Sequence, residues 1–246
     1  MKNNEDLQTK KEIDLMNILR VLIKNNRFEL IGINSVEIKV IKQVINESEP
    51  NPEANKFPDF ICGNNSFIEL FSVSSSLSKK GSKQLKKNSD TLISHEKKII
   101  SGQSQIRETS FITGHSIENL RKSIKISINK HINSLKKSDL VYEIKIFFFD
   151  NLEESNYLEC LLPENQKYPN SYKISYDYIL LKQLAEYKED IDYVIFLTQK
   201  FNGDYSLEIL NLSSLDGQIK KLMNLSPYMC CSSKGIETYT SYRLDL

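Results

Sequence analysis

Three residues, Gly63-Asn64-Asn65, separate two strand-sized apolar runs, FPDFIC and SFIELFSVS, inside KFPDFICGNNSFIELFSVSSS at 56–76. Three residues leave no room for a crossover, so the two strands must be antiparallel neighbours in a hairpin. Gly and Asn supply the positive φ that tight hairpin turns require. Antiparallel pairing about a turn centred on residue 64 would set residue 59 across from residue 69, in a register that the sequence leaves open, and both are acids, Asp59 and Glu69. Directly opposed side chains share a face about 5 Å apart. Two carboxylates that close repel each other unless a cation sits between them. Glu69 lies between Ile68 and Leu70, in a run suited to a sheet interior, where a carboxylate needs a partner or a metal. The plainer alternative has Asp59 capping the start of a strand and Glu69 facing solvent.

The rest of the chain alternates helices and strands. TKKEIDLMNILRVLIKN, 9–25, places Ile13, Met16, Ile18, Leu19, Leu22 and Ile23 at helical spacing, with Glu12 near the start. FELIGI, 28–33, is strand-sized. SVEIKVIKQVI alternates at Val36, Ile38 and Val40 and then shifts phase at Ile41, which predicts a strand with a bulge, a helix being the alternative. ESEPNPEANKFP reads as a loop. Residues 75–115 are Ser/Lys-rich and weakly periodic, long for a plain loop, and such loops are usually functional or mobile. SIENLRKSIKISINKHINSLKK, 116–137, predicts a helix N-capped by Ser116, with Ile117, Leu120, Ile124, Ile128 and Leu135 on one stripe and Arg121, Lys122 and Lys125 off it. YEIKIFFFDN, 142–151, predicts a buried strand, 176–190 an amphipathic helix, IDYVIFLTQ, 191–199, a buried strand, and YSLEILNL, 205–212, an alternating edge strand. This order predicts a mixed central α/β sheet with helices on both faces, in a single domain over 1–246. There is no internal repeat and no linker.

With 39% hydrophobic and 26% charged residues in 246, the chain can bury a core without disulfides. Its polar N-terminus has no apolar signal core, and no run reaches the ~18 apolar residues of a membrane span. A cytoplasmic protein without membrane contact is expected. Cys62, Cys160, Cys230 and Cys231 form no CxxC and lack a His at zinc-ligand spacing, which leaves them as buried or free thiols. The formal net charge is +1, yet Lys79 to Lys137 holds 14 Lys/Arg against 4 Asp/Glu. That basic middle suits phosphate contacts with an anionic polymer, the alternative being a solvated face. SSSLSKKGSKQLKK could grip phosphate through backbone N–H groups, and a flexible segment of this kind can order on nucleic acid. It does not match the GxxxxGK[ST] of an NTP-binding loop. No nucleophile elbow or Ser/His/Asp order stands out.

Pro58-Asp59, an apolar run, a turn and Ile68-Glu69 on a second strand resemble the PD-(D/E)xK superfamily, the restriction-endonuclease-like nucleases. The helix at 9–25, the hairpin at 57–75, the helix at 116–137 and the strand at 142–150 follow in that family's order. The resemblance covers roughly residues 9–150 and leaves 151–246 as a C-terminal αββ extension. It implies Mg²⁺-dependent (or Mn²⁺-dependent) hydrolysis of phosphodiester bonds. Asp59 and Glu69 would be catalytic and hold the metal, and Glu12 would be an extra ligand. The family carries a Lys two residues after the Glu, where this chain has Phe71. Substitutes within the sequence are Lys79, Lys80, Lys125, Lys130, His95 and His115, with Lys130 the first choice because its helix should pack beside the catalytic strand. His131 borders the apolar stripe and reads as a packed histidine. Lys79, Lys80, Lys83, Lys86, Lys87, Arg121, Lys122 and Lys125 would contact nucleic acid, with DNA the expected polymer, and a homodimer suits an enzyme that cuts both strands. Restriction or anti-phage defence is the expected setting. Phe71 keeps two alternatives open: a catalytically inactive member of the fold that binds nucleic acid or a protein, and an assembly protein whose Lys-rich loop meets an acidic partner.

Overall fold

The computed structural model describes residues 2–53, 57–63, 65–73, 75, 101, 108–113, 116–137, 141–151, 158–161, 172–199, 204–225, 230–233 and 238–243. They form an α/β architecture with a seven-stranded mixed sheet and five α-helices. The sheet consists of β1 (Glu29–Ile31), β2 (Glu49–Pro50), β3 (Phe60–Cys62), β4 (Ser66–Ser72), β6 (Ile144–Asn151), β8 (Tyr193–Gln199) and β9 (Tyr205–Asn211). Their order is β1-β9-β8-β6-β4-β3-β2. β4, β6 and β8 run parallel, and β3 and β9 flank them antiparallel. The sheet therefore draws strands from both the family-like segment and the 151–246 segment.

The structure sets the register of the hairpin. Phe60 pairs with Ile68, Ile61 with Phe67 and Cys62 with Ser66, so the ladder carried one step further sets Asp59 across from Glu69. Gly63 takes a φ of 56°, a left-handed value that a side chain would resist.

Each face of the sheet is closed by its own helices. On one side α1 (Lys2–Lys24) and α2 (Ser35–Glu47) pack on Ile68, Leu70, Ile146, Phe148, Ile195 and Ile209. On the other, α3 (Ile117–Lys137), α4 (Tyr178–Ala185) and α5 (Asp216–Leu225) pack on Phe67, Phe71, Phe147, Phe149, Val194 and Phe196. The central strands are consequently apolar on both faces, the pattern of parallel strands buried between helix layers. The buried stripe of α3, Ile117, Leu120, Ile124, Ile128 and Ile132, follows the predicted one in its first four members, with Ile132 buried and Leu135 only partly so, and turns the helix over β4 and β6.

Three expectations need correction. Residues 35–47 are helical, not a bulged strand. Asn34 accepts N–H bonds from Val36 and Glu37, while Glu37 returns a carboxylate to the Asn34 N–H. This capping box is worth about 1 kcal/mol, and Ile41, Val44 and Ile45 then fall on one buried stripe. β9 is not an edge strand, because β1 pairs with its outer side in parallel. On α1, Ile13 is 37% exposed and Leu15 takes its place in the core.

Two small ribbons accompany the sheet. β5 (Glu108–Thr113) pairs with β11 (Thr238–Arg243), and β7 (Leu158–Leu161) with β10 (Cys230–Ser233). The second register sets Cys160 opposite Cys231. Among the described residues no helix is long and apolar enough to cross a membrane.

Candidate functional site

Glu69 projects from β4 with Phe67 and Phe71 toward α3, as strand alternation requires, and is 3% exposed. The two acids are interlocked through backbone groups. The Asp59 N–H donates to Glu69 Oε2 at 3.0 Å, and the Leu70 N–H donates to Asp59 Oδ2 at 2.8 Å. Asn51 fixes the segment from the outer side: its backbone N–H donates to the Asp59 carbonyl and its side-chain amide to the Pro58 carbonyl, each at 2.8 Å. The hairpin and its neighbour thus hold two carboxylates together at the edge of a buried sheet face.

This arrangement is electrostatically costly. Burial, then the Glu69 carboxylate and in lesser measure Glu12, push the Asp59 carboxyl up to about 8, against one lowering N–H bond from Leu70. Glu12 is partly buried on α1, within reach of that charge. Its neighbour Lys11 turns elsewhere, to Asp150 at 3.2 Å and to the Ser72 hydroxyl at 3.0 Å, which in turn donates to Asp150.

Position 71, two residues beyond Glu69, lies in an aromatic cluster. Phe71 is 8% exposed and meets Phe149 and Phe147 edge-on, with centroids 4.4 and 5.4 Å away. Over it lies the ring of His131, stacked at 4.9 Å and 27°, and His131 Nδ1 contacts Glu69 Oε1. Sequence reasoning treated His131 as core packing and preferred Lys130. The structure leaves Lys130 exposed and turns the next residue inward, since adjacent helical residues lie about 100° apart. A usable signal was the His three residues beyond Ile128 on the buried stripe, on the face that packs over Glu69. Tyr142 was also missed. It packs edge-on against Phe67, its buried hydroxyl has no hydrogen-bond partner among the described residues, and burial and then Glu69 raise its pKa.

The proposed nucleic-acid contacts separate into three groups. Lys79, Lys80, Lys83, Lys86 and Lys87 lie outside the described residues, as do His95 and His115. Lys122 and Lys125 are exposed on α3. Arg121 is turned inward, bonded through Nε and Nη2 to Asp177 at 2.8–3.1 Å, and its side chain is only 12% exposed. Its guanidinium fastens α3 to the N-terminus of α4 and is not presented to a ligand.

Among the described residues, no group of three or more His, Cys, Asp or Glu is assembled for a metal ion. Asp59 and Glu69 supply two carboxylates, the protein share typical of a Mg²⁺ site, which leaves its other positions to water and phosphate. Comparison with family models, curated proteins and solved structures finds no match to the chain.

Proposed function

We propose that this chain is a divalent-metal-dependent nuclease with a restriction-endonuclease-like core, acting on DNA. The observation that carries this reading is the pair Asp59 and Glu69, interlocked across one hairpin turn. A structural role for either acid would need no second carboxylate, and the repulsion between them is what a bound cation would remove. The donor set suits Mg²⁺ or Mn²⁺: both ligands are hard oxygens, and Asp59 Oδ1 accepts no hydrogen bond among the described residues. Glu12 would be the nearest further acid. A divalent ion bound there would supply positive charge to a phosphate oxygen and acidify a water. The backbone N–H groups of Asp59 and Leu70 hold the two carboxylates in place before any ligand arrives. Exposed Lys122, Lys125 and Lys130 on α3 would meet phosphates through salt-sensitive contacts. A restriction or anti-phage role and a homodimer belong to the same proposal.

Phe71 favours a second reading, a non-catalytic protein of the same fold that binds nucleic acid or a protein partner. A phenyl ring neither orients nor deprotonates water. Plasmid cleavage with Mg²⁺ or Mn²⁺ separates the two. The nuclease reading expects cleavage by the wild type and a loss of at least about 100-fold in Asp59→Ala and in Glu69→Ala. Equal cleavage by wild type and variants would discard it. Absence of cleavage and of metal binding, with retained salt-dependent DNA affinity, would establish the second.

A further inference from the structure

We propose that Cys160 and Cys231 form a reversible disulfide across the β7–β10 ribbon, with a small-molecule disulfide such as oxidised glutathione as the oxidant. This goes beyond the nuclease reading and does not depend on it. The antiparallel register sets Cys160 directly opposite Cys231. Directly opposed residues of an antiparallel pair share a face, with Cα atoms about 4.5 or 5.5 Å apart, and a disulfide spans Cα separations of about 4.4–6.8 Å. The same register sets the other cysteines aside. Cys230 lies across from Leu161, and it takes the face opposite to that of Cys231, because successive strand residues alternate. Cys62 ends β3 in the seven-stranded sheet, away from the ribbon's register, and burial and then Glu47 raise its thiol, which slows its reaction. No local spacing rule brings together two cysteines so far apart in the chain; only the pairing of β7 with β10 does.

Between the two cysteines the chain runs through α4, β8, β9 and α5. A bond there closes a long loop that holds two strands of the central sheet, and a cross-link over a long loop restricts the unfolded chain more than one over a short loop. β10 also touches α3, which seats the ribbon against a helix of the central layer. Opposed Cβ atoms lie about 4.5–5.5 Å apart in such a pair, beyond the usual ~3.5–4.5 Å of a bridge, so closure draws the strands together and leaves the bond open to reduction.

The exchange balances. The thiolate of one cysteine attacks a sulfur of the oxidant, the oxidant's S–S bond breaks and one small thiol leaves. The thiolate of the other cysteine attacks the protein sulfur of that mixed disulfide, and the second small thiol leaves. The protein gives up two electrons and two protons, which the two small thiols carry away, and an excess of a small thiol reverses the exchange.

The test oxidises the reduced full-length chain with oxidised glutathione, alkylates the remaining thiols and maps the bridge by peptide mass spectrometry. The expected result is a monomer on a non-reducing gel, a fall from four titratable thiols to two, and a cross-linked peptide joining Cys160 to Cys231. The urea midpoint should rise by about 1 M on oxidation and return with dithiothreitol. Cys160→Ser and Cys231→Ser should each abolish that rise, and Cys62→Ser and Cys230→Ser should keep it. Four thiols left after prolonged oxidation, a bridge that includes Cys62 or Cys230, a disulfide-linked dimer, or glutathione retained on both cysteines would each overturn the proposal. The peptide map of the wild type decides even where a serine variant fails to fold. No readout involves cleavage, so the nuclease reading and this one stand or fall separately.

Discussion

Glu69 in FIEL and Glu208 in SLEI look alike in sequence: each is a lone acid between two aliphatic residues in a strand. They also look alike in burial, at 3% and 2% exposure, and project to the same face of the sheet. Their surroundings separate them. Glu208 receives the backbone N–H groups of Ile174 and Ser175 at 2.9 and 3.1 Å, at the turn that leads into α4; burial raises its pKa, and these bonds and, least, Lys173 work against that rise. Glu69 receives one N–H and one histidine, and shares its space with Asp59. Asp177 resembles Glu208: Arg121, the Tyr172 hydroxyl and the Leu180 N–H surround it. A buried acid ringed by donors is a fastener. A buried acid facing another acid lacks that compensation, which is why the proposed function assigns a ligand to it.

The sharpest break of this contrast is at the fasteners. Arg121→Ala should lower stability by about 3–5 kcal/mol, because it strands the Asp177 carboxylate in the interior. Lys122→Ala and Lys125→Ala, on the same helix, should leave urea unfolding unchanged and reduce the salt dependence of DNA binding. If Arg121→Ala unfolds at the wild-type midpoint, the reading of Arg121 as structural is wrong. Glu208→Ala should cost about 2–4 kcal/mol, because two buried N–H groups lose their acceptor. Glu69→Ala should cost less than Glu208→Ala, since the loss of its hydrogen bonds is offset by relief of Asp59. A Glu69→Ala variant as unstable as Glu208→Ala would make Glu69 a fastener as well.

A test without removal of a side chain is a pH titration of stability in metal-free protein. Asp59 has a folded-state pKa of about 8, raised by burial and by Glu69 above the ordinary 3.8. Between these values the folded state holds a proton that the unfolded chain has released. Stability due to this group therefore falls as pH rises from about 4 toward 8, by at most about 1.4 kcal/mol per pH unit, and levels off above. Asp59→Asn should remove that slope, and wild type and variant should differ most above pH 8. Saturating Mg²⁺ should flatten the wild-type curve, since a cation favours the charged pair.

How much of this was legible differs from element to element. The hairpin was, because three turn residues between two apolar runs leave no room for a crossover, while the register that brings Asp59 to Glu69 is a finding of the structure. The buried stripe of α3 was too, because period 3.6 is local. Helix α2 was missed since Val36, Ile38 and Val40 imitate strand alternation. The Asn34-x-x-Glu37 cap was the local signal that outweighed them. Lys130 was preferred to His131 because sequence spacing ranks residues by chemical type, whereas the rotation of α3 over β4 decides which one reaches Glu69.

Short-range turn chemistry and periodicity, both local, were enough for a mixed α/β sheet and for the hairpin; the facing of its acids came with the register. Only the tertiary structure distinguished Glu69 from Glu208, removed Arg121 from the surface and set His131 on Phe71. Those outcomes depend on which groups from distant segments fill the space around a buried charge. In a low-dielectric interior that environment, more than the identity of the residue, sets what the charge can do.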